Sequence, residues 1–454
     1  MNLPGTIAAV ASSAIRSAIS VVRISGKDAF SIADKVFTGI SGKKLSACPG
    51  FTARLGKICD NKNKEIDEVI ATVYRAPKSY TGEDSVEFSC HGGEFIVKRI
   101  LEAVINAGAG IAQPGEFTRR AVMSGKLTLT QAEAVNEMIC AQNDSAHKAA
   151  LSQYDGALLR RINSIKTKLA RLSAEITADL EFPEDDIDRT DISVKIEKLH
   201  TIKSQLEETI ASYDQGAVLR KGVPAVIAGK PNVGKSTLMN LITQKNKSII
   251  TEYAGTTRDI IEETVDIGGL LLNIADTAGI RETGDDIEKI GVGLARKRIS
   301  DSQLVIAVFD VSEPLDSEDF DFAAKLDKTR TLAVFNKSDL APQAKITRLE
   351  FEHHIYMSAA NAESPDELYR KISEMVVDRE FDPDSGIIFS LRQLECAKRA
   401  SVSAAEAVFA LESGLEDAAA VCTETAAAAL MELTGERITE TILDEIFSKF
   451  CIGK

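Results

Sequence analysis

GKPNVGKS, Gly229 to Ser236, constrains this chain more than any other stretch, because it lies directly between the apolar run VPAVIA and the helical pattern TLMNLI. The spacing G-x-x-x-x-G-K-S, after a strand and at the start of a helix, is that of a phosphate loop. Its backbone N–H groups can wrap a β-phosphate, Lys235 can neutralise charge between the β- and γ-phosphates, and the Ser236 hydroxyl can ligate Mg²⁺. Val233, Gly234 and Thr237 belong to the same phosphate wall. Such a loop sits at the carboxyl end of a parallel strand, so this part of the chain is expected to be α/β.

Further elements follow in order. Thr256 and Thr257 of AGTTRD can bring a second hydroxyl to Mg²⁺, and Thr251, five residues before Thr256, belongs to the same nucleotide-facing loop. Asp276 ends the apolar run LLLNIA and can hold the metal's water shell; Thr277, Ala278 and Gly279 come next, and the Gly279 N–H can reach a γ-phosphate. NKSD (Asn336, Lys337, Ser338, Asp339) ends another apolar run, TLAVF. A carboxylate at Asp339 accepts from the guanine N1–H and 2-amino group, a donor pair that adenine lacks. SAA (Ser358, Ala359, Ala360) would close over the base, although the lysine common in such loops is missing here. The order predicts binding of GTP rather than ATP.

Hydrolysis needs a positioned water and neutralisation of developing charge. Many such domains place a glutamine directly after DTAG, but Ile280 stands there and does neither. Arg281, Glu282, Asp285, Asp286 and Glu288 are the nearby polar candidates. A carboxylate can hold the water through a second one, but its charge has the wrong sign, so a cation must enter from elsewhere. The amide oxygen of Asn232 could face the phosphates together with a monovalent cation, with oxygens around Thr251 to Thr256 completing its shell. Equally, Asn232 could simply cap the turn.

Around this segment the rhythm changes twice. Residues 1–118 mix strands (SAISVVRIS, IDEVIATVYRA) with a helix, GEFIVKRILEAVINAG, and read as an α/β domain. Residues 119–217 are helical, with Ile162, Ile165, Leu169, Leu172 and Ile176 on one face and Ile196, Leu199, Ile202, Leu206 and Ile210 on another. Bundle packing is the expectation for both stripes. Residues 218–377 form the phosphate-loop domain, and 378–454 are helical again. The expected fold class is therefore multidomain α/β plus all-α, with a Ras-like phosphate-loop domain inserted in a discontinuous helical domain.

A net charge of −14, from 54 basic against 68 acidic side chains, argues against a broad nucleic-acid coat. No apolar run approaches the length of a membrane span. The first residues lack a basic stretch leading into an apolar core, so a signal peptide is not expected. Seven cysteines without a CxxC pair suit reduced thiols in the cytoplasm.

SYTGEDSVEFSCHGG, PGEFTRRAV, GKLTLTQAEAV, GKPNVGKSTLMNLI, AGTTRDII, DTAGIRE and CIGK, taken together, resemble the MnmE (TrmE) family of bacterial tRNA-modification GTPases over essentially the full length. The resemblance implies an N-terminal domain that dimerises and binds a tetrahydrofolate derivative, 5-formyl- or methylene-. It implies paired G domains with K⁺ where an arginine finger would otherwise reach. Carried over by motif, Asn232, Thr251, Tyr253 and Thr256 would hold K⁺, Ser236 and Thr257 would hold Mg²⁺, and Glu288 would organise the attacking water. The pterin site would match Arg23, Glu87, Lys126 and Lys454, and Cys451 would be a candidate catalytic thiol. Proteins similar to this one form a heterotetramer with MnmG, which carries the FAD. Together they build the 5-carboxymethylaminomethyl or aminomethyl group on the wobble uridine of certain tRNAs. One departure is ASSAIRSAIS, which replaces a Pro/Gly-rich turn and can reshape one edge of the folate pocket. Rival readings are a GTP-switch factor of ribosome assembly and a membrane-remodelling GTPase.

Overall fold

The structure is a computed structural model that describes every residue except 1–4, 13–15, 182–189, 246–261, 276–298, 341–348, 362–364, 377–384, 438 and 454. It begins with β1 (Ile7–Val10), β2 (Ile19–Ser25), α1 (Ala29–Val36), β3 (Phe37–Gly39), β4 (Thr52–Cys59) and β5 (Glu65–Tyr74). Next come β6 (Ser85–His91), α2 (Glu94–Asn106) and β7 (Gly110–Ile111). Helices α3 (Glu116–Met123), α4 (Leu129–Cys140), α5 (Asp144–Tyr154), α6 (Ala157–Glu181) and α7 (Ile192–Lys221) follow. The phosphate-loop segment holds β8 (Val223–Ala228), α8 (Lys235–Lys245), β9 (Glu262–Asp266), β10 (Leu271–Ala275) and β11 (Leu304–Asp310). It continues with α9 (Ser317–Ala324), β12 (Thr331–Asn336), β13 (His354–Tyr356) and α10 (Asp366–Val376). The chain then returns to helices, α11 (Leu391–Glu412), α12 (Glu416–Thr434) and α13 (Glu440–Ser448). Sheets and helices are thus combined as the sequence predicts: an α/β part, then helices interrupted by a phosphate-loop segment.

The chain divides into two compact units, one of Met1–Asn136, Gln153–Glu207 and Ser390–Lys454, the other of Glu137–Ser152 and Glu208–Phe389. In the first, a seven-stranded sheet runs β3-β4-β5-β6-β2-β1-β7. All its pairings are antiparallel except β1 with β7. Alternation along β5 sends Val69, Ala71 and Val73 into the core beneath α1 and α2, with Val22, Ile24, Phe88 and Ile100. The opposite face carries Arg23, Tyr74 and Glu87, and the same alternation holds them there.

Helices of this unit pack through the α6 stripe, where Ile162, Ile165, Leu169, Leu172 and Ile176 are all buried. The α7 stripe differs from expectation. Leu199, Ile202 and Leu206 are buried, but Ile196 and Ile210 are only half-buried, and Lys195 and Thr209 take the interior positions instead. Lys195 can do so because its stem is apolar and its ammonium reaches Asp179 at 2.5 Å and Glu416 at 3.4 Å.

The second unit has a six-stranded sheet, order β13-β12-β11-β8-β10-β9. Its strands are parallel except for β9, an antiparallel edge on β10. Apolar side chains on both faces account for the near-continuous apolar runs of β8, β11 and β12. Strand order reverses at β8, with β10 on one side and β11 on the other, so the loop after β8 opens at a topological switch point.

Candidate functional site

The loop after β8 depends on two glycines. Gly229 has φ +155°, and a Cβ there would lie 2.4 Å from the Val308 carbonyl oxygen. Gly234 has φ +98°, and its Cβ would lie 2.2 Å from Asn336 Nδ2. Asn232 between them is left-handed at φ +63°, a region that asparagine tolerates better than most residues. Lys235 opens α8, and its Nζ donates to the carbonyls of Gly229 (2.9 Å) and Lys230 (2.6 Å), holding the ammonium over the loop. Ser236 and Thr237 follow it in the first turn, where backbone N–H groups point at any bound phosphate. Lys230 ties the loop to the start of α9 through Asp316 and Asp319. Burial opposes its charge, yet these carboxylates hold its pKa above the ordinary lysine value.

Asn336, at the end of β12, joins this loop to the base-reading loops. Its Nδ2 donates to the Val233 carbonyl at 2.8 Å and its Oδ1 accepts from the Ala359 N–H at 2.9 Å. Lys337 is left-handed at φ +62° and pairs with Asp310 at the end of β11. Burial would raise the Asp310 pKa, but hydrogen bonds from Lys337 and Ser312 outweigh it and hold the carboxyl below its ordinary value. The Ser338 N–H donates to the Met357 carbonyl, which keeps the NKSD and SAA loops in register. Asn361, just past Ala360, donates to Asp339 Oδ2 at 3.0 Å. Asn232, Val233, Gly234, Lys235, Ser236 and Thr237 are therefore assembled in one unit with Asn336 to Asp339 and Ser358 to Ala360. The donor set suits a nucleotide, with N–H groups and an ammonium at one end and a carboxylate at the other. Thr251, Tyr253, Thr256, Thr257, Asp276, Thr277, Ala278, Gly279 and Glu288 lie outside the described residues.

A second polar cluster lies on the outward face of the first unit's sheet. Arg23 and Glu87 are register partners on β2 and β6, and Arg23 Nε donates to Glu87 Oε1 at 2.8 Å. The Tyr74 hydroxyl donates to Glu87 Oε2 at 3.3 Å. Burial first, then the Glu87 charge, raises the Tyr74 pKa, so the phenol stays a donor. The Arg23 guanidinium lies 5.3 Å from the Tyr80 ring centroid and 5.4 Å from that of Phe117. Lys126 is exposed and its Nζ donates to the Pro77 carbonyl at 3.4 Å, on the loop that bears Tyr80. Arg23 Nη1 is buried with no hydrogen-bond partner among the described residues. A carboxylate with free acceptor capacity, paired with an arginine, is the kind of group that can read the donor edge of a pterin.

Helix α3 organises this cluster. It supplies Phe117, and Thr118 meets the Tyr80 hydroxyl at 2.9 Å. The fully buried Arg120 grips Glu83, Glu116 and the Gly5 carbonyl. Glu83 in turn accepts from Ser25, which also meets Thr81 at 2.6 Å. Tyr74, Tyr80, Phe117 and Arg120 are absent from the residues singled out in the sequence. Tyr80, Phe117 and Arg120 lie inside SYTGEDS and PGEFTRR, which are the signal that could have found them.

The CIGK stretch also reaches this unit's sheet. The Gly115 N–H donates to the Cys451 carbonyl at 3.4 Å, and Gly453, at φ +96°, leaves a would-be Cβ only 2.1 Å from the Val10 carbonyl oxygen. The Cys451 side chain is exposed, and Lys454 lies outside the described residues. Among the described residues no helix is long and apolar enough to cross a membrane.

Comparisons with known proteins cover the whole chain. The family model described as the MnmE helical domain matches residues 129–451, and that described as the GTP-binding protein TrmE N-terminus matches residues 6–126. The protein named tRNA modification GTPase MnmE in Clostridioides difficile is 37% identical over 460 residues, covering 100% of each chain. Its namesake in Acetivibrio thermocellus is 38% identical over 456 residues, and that in Carboxydothermus hydrogenoformans 37% over 458, each covering 99% of both chains.

Proposed function

The chain belongs to the MnmE family, and from that premise we propose that it is a K⁺-stimulated GTPase of tRNA modification. Its GTP cycle would drive a complex with an FAD-carrying MnmG-type partner, which builds the aminomethyl-type group at C5 of the wobble uridine. The acting form is a homodimer in the cytoplasm, with residues 1–118 as the pairing and folate-binding domain. Residues 218–377 form the G domain, carried by helical residues 119–217 and 378–454. The observation behind the nucleotide reading is Asn336, which links the phosphate loop at Val233 to the base loop at Ala359.

In this reading the Lys235 ammonium and the loop N–H groups meet the phosphates, while Ser236 and Thr257 hold Mg²⁺. Asn232, the carbonyls of Thr251 and Tyr253, and Thr256 hold K⁺, which when bound adds the positive charge that Ile280 cannot. Glu288 orients the attacking water through a second one. Arg23, Glu87, Lys126 and Lys454 hold the folate that donates one carbon. Cys451 stands as a candidate thiol, exposed and beside the N-terminal sheet.

Mass spectrometry of tRNA from cells lacking this protein tests the proposal. Wobble uridines should lose the aminomethyl-type group at C5 and regain it when the gene is restored. Intact modification would overturn the reading in favour of the ribosome-assembly switch.

A further inference from the structure

The phosphate loop and the base-reading loop lean on the same stretch of chain. Between Asp310, at the end of β11, and Asp319, in the first turn of α9, three carboxylates take up two lysines. Asp310 pairs with Lys337 of the base-reading loop. Asp316 and Asp319 pair with Lys230 of the phosphate loop, the latter at 3.0 Å. These two acids are themselves held in place, because they form the capping box of α9. Asp316 Oδ1 accepts from the N–H groups of Glu318 (2.9 Å) and Asp319 (3.1 Å), and Asp319 Oδ2 accepts from the Asp316 N–H at 3.1 Å. Asp319 is buried and the Lys230 side chain only 19% exposed, so their pair is not of the solvated kind that contributes little.

Lys230 also bears on the nucleotide site through its main chain. Its carbonyl accepts from the Lys235 ammonium at 2.6 Å, beside the Gly229 carbonyl at 2.9 Å. Pro231, which follows, restricts the backbone of Lys230 as well as its own. Gly229, which precedes it, lies so close to the Val308 carbonyl that a Cβ would not fit. With both neighbours confined, the side-chain anchor decides how firmly the Lys230 carbonyl is held. We infer that Lys230 is a positioning residue: its ion pairs with Asp316 and Asp319 fix the phosphate loop so that Lys235 is aimed at the β-phosphate before a nucleotide arrives. A loop already ordered loses less entropy on binding, so the anchor raises affinity without touching the ligand. This inference rests on the nucleotide reading above and adds to it the start of α9 as a support of the site.

Titration of the full chain with GDP and with inosine diphosphate, which lacks the 2-amino group, tests it. Lys230→Ala should bind GDP roughly tenfold more weakly. Lys230→Arg keeps a cation facing both carboxylates and should recover most of the loss. Asp319→Asn removes the charge but keeps the cap, because an amide oxygen also accepts, and should weaken binding to a smaller extent. Combined with Lys230→Ala it should add nothing further, since both changes release the same anchor. The ratio of GDP to inosine diphosphate affinity should stay unchanged in Lys230→Ala, because the base is read at Asp339; a general loosening of the domain would shift it. Should Lys230→Ala not fold, as judged by circular dichroism, Asp319→Asn supplies the comparison. Unchanged affinity in these variants, or a shifted ratio, overturns the inference and leaves the nucleotide reading intact. So do additive losses in the double variant, which would mean that Lys230 meets the nucleotide itself. Failure of the natural chain to bind GDP overturns the nucleotide reading and the inference with it.

Discussion

Asn336 donates its side-chain N–H to the main-chain carbonyl of Val233 at 2.8 Å, so a residue of the base-reading loop is fastened to the middle of the phosphate loop. Its other amide atom accepts from Ala359 at 2.9 Å, and the side chain is buried. Asn336→Ala removes both bonds and strands a buried carbonyl and N–H. Each such bond contributes about 1 kcal/mol, so a total near 2 kcal/mol corresponds to roughly thirtyfold weaker guanine-nucleotide binding. Titration with a fluorescent GDP checks this, and unchanged affinity would contradict the bridging role.

GTP turnover should be much faster in K⁺ than in Na⁺ at equal ionic strength, since in the proposed site the alkali ion stands in for a missing side chain. Glu288→Ala should cut turnover by roughly a hundredfold while leaving nucleotide affinity nearly intact. Equal rates in the two salts would remove the assigned role of Asn232. Parallel losses of rate and affinity would remove that of Glu288.

Thiol reactivity should separate two cysteines. Burial, and next the Asp67 charge, push the Cys90 thiol up to about 11, whereas Cys451 is exposed. Brief iodoacetamide treatment at pH 8, read by peptide mass spectrometry, should label Cys451 and leave Cys90 unlabelled. Because the folded state holds the Cys90 proton more tightly than an unfolded chain, this group's contribution to stability is complete below pH 9. It is lost as the pH rises from there toward 11. Equal labelling of both cysteines would contradict the burial argument.

Arg392→Ala should destabilise the first unit strongly. Arg392 Nη2 meets Glu133 Oε2 at 2.8 Å, and its guanidinium also donates to the carbonyls of Glu432 and Leu433. Removing it leaves Glu133 buried without a cation, a loss of about 3–5 kcal/mol. Scanning calorimetry should show the transition several degrees lower. A double change that replaces both partners with apolar residues should cost less, and a negligible shift in the single variant would contradict the network's role.

The phosphate loop and NKSD were legible in the sequence because their chemistry is local. A strand, a loop and a helix in sequence order bring Gly229, Lys235 and Ser236 together, and Asn336 ends a short apolar run of the length and β-branched character of a buried strand. The α6 stripe was legible for the same reason. The α7 stripe was not, because the sequence periodicity cannot show that Lys195 finds Asp179 and Glu416 once three helices meet. Arg23 opposite Glu87 depends on the register of β2 with β6, which hydrophobic alternation does not specify across an intervening 60-odd residues. Tyr80 and Phe117 converge on Arg23 through still longer connections, and only the motifs that contain them hinted at a shared task.

Gly453 meeting Val10 has a consequence for the order in which the molecule is built. Residues of β1 leave the ribosome early and can pair with β2 within moments, as N-terminal domains generally do. The close approach of the chain to Val10 cannot form until residue 453 has been translated. Nascent chains that stall or are cut short before that point would therefore display β1 without the C-terminal stretch that approaches its end.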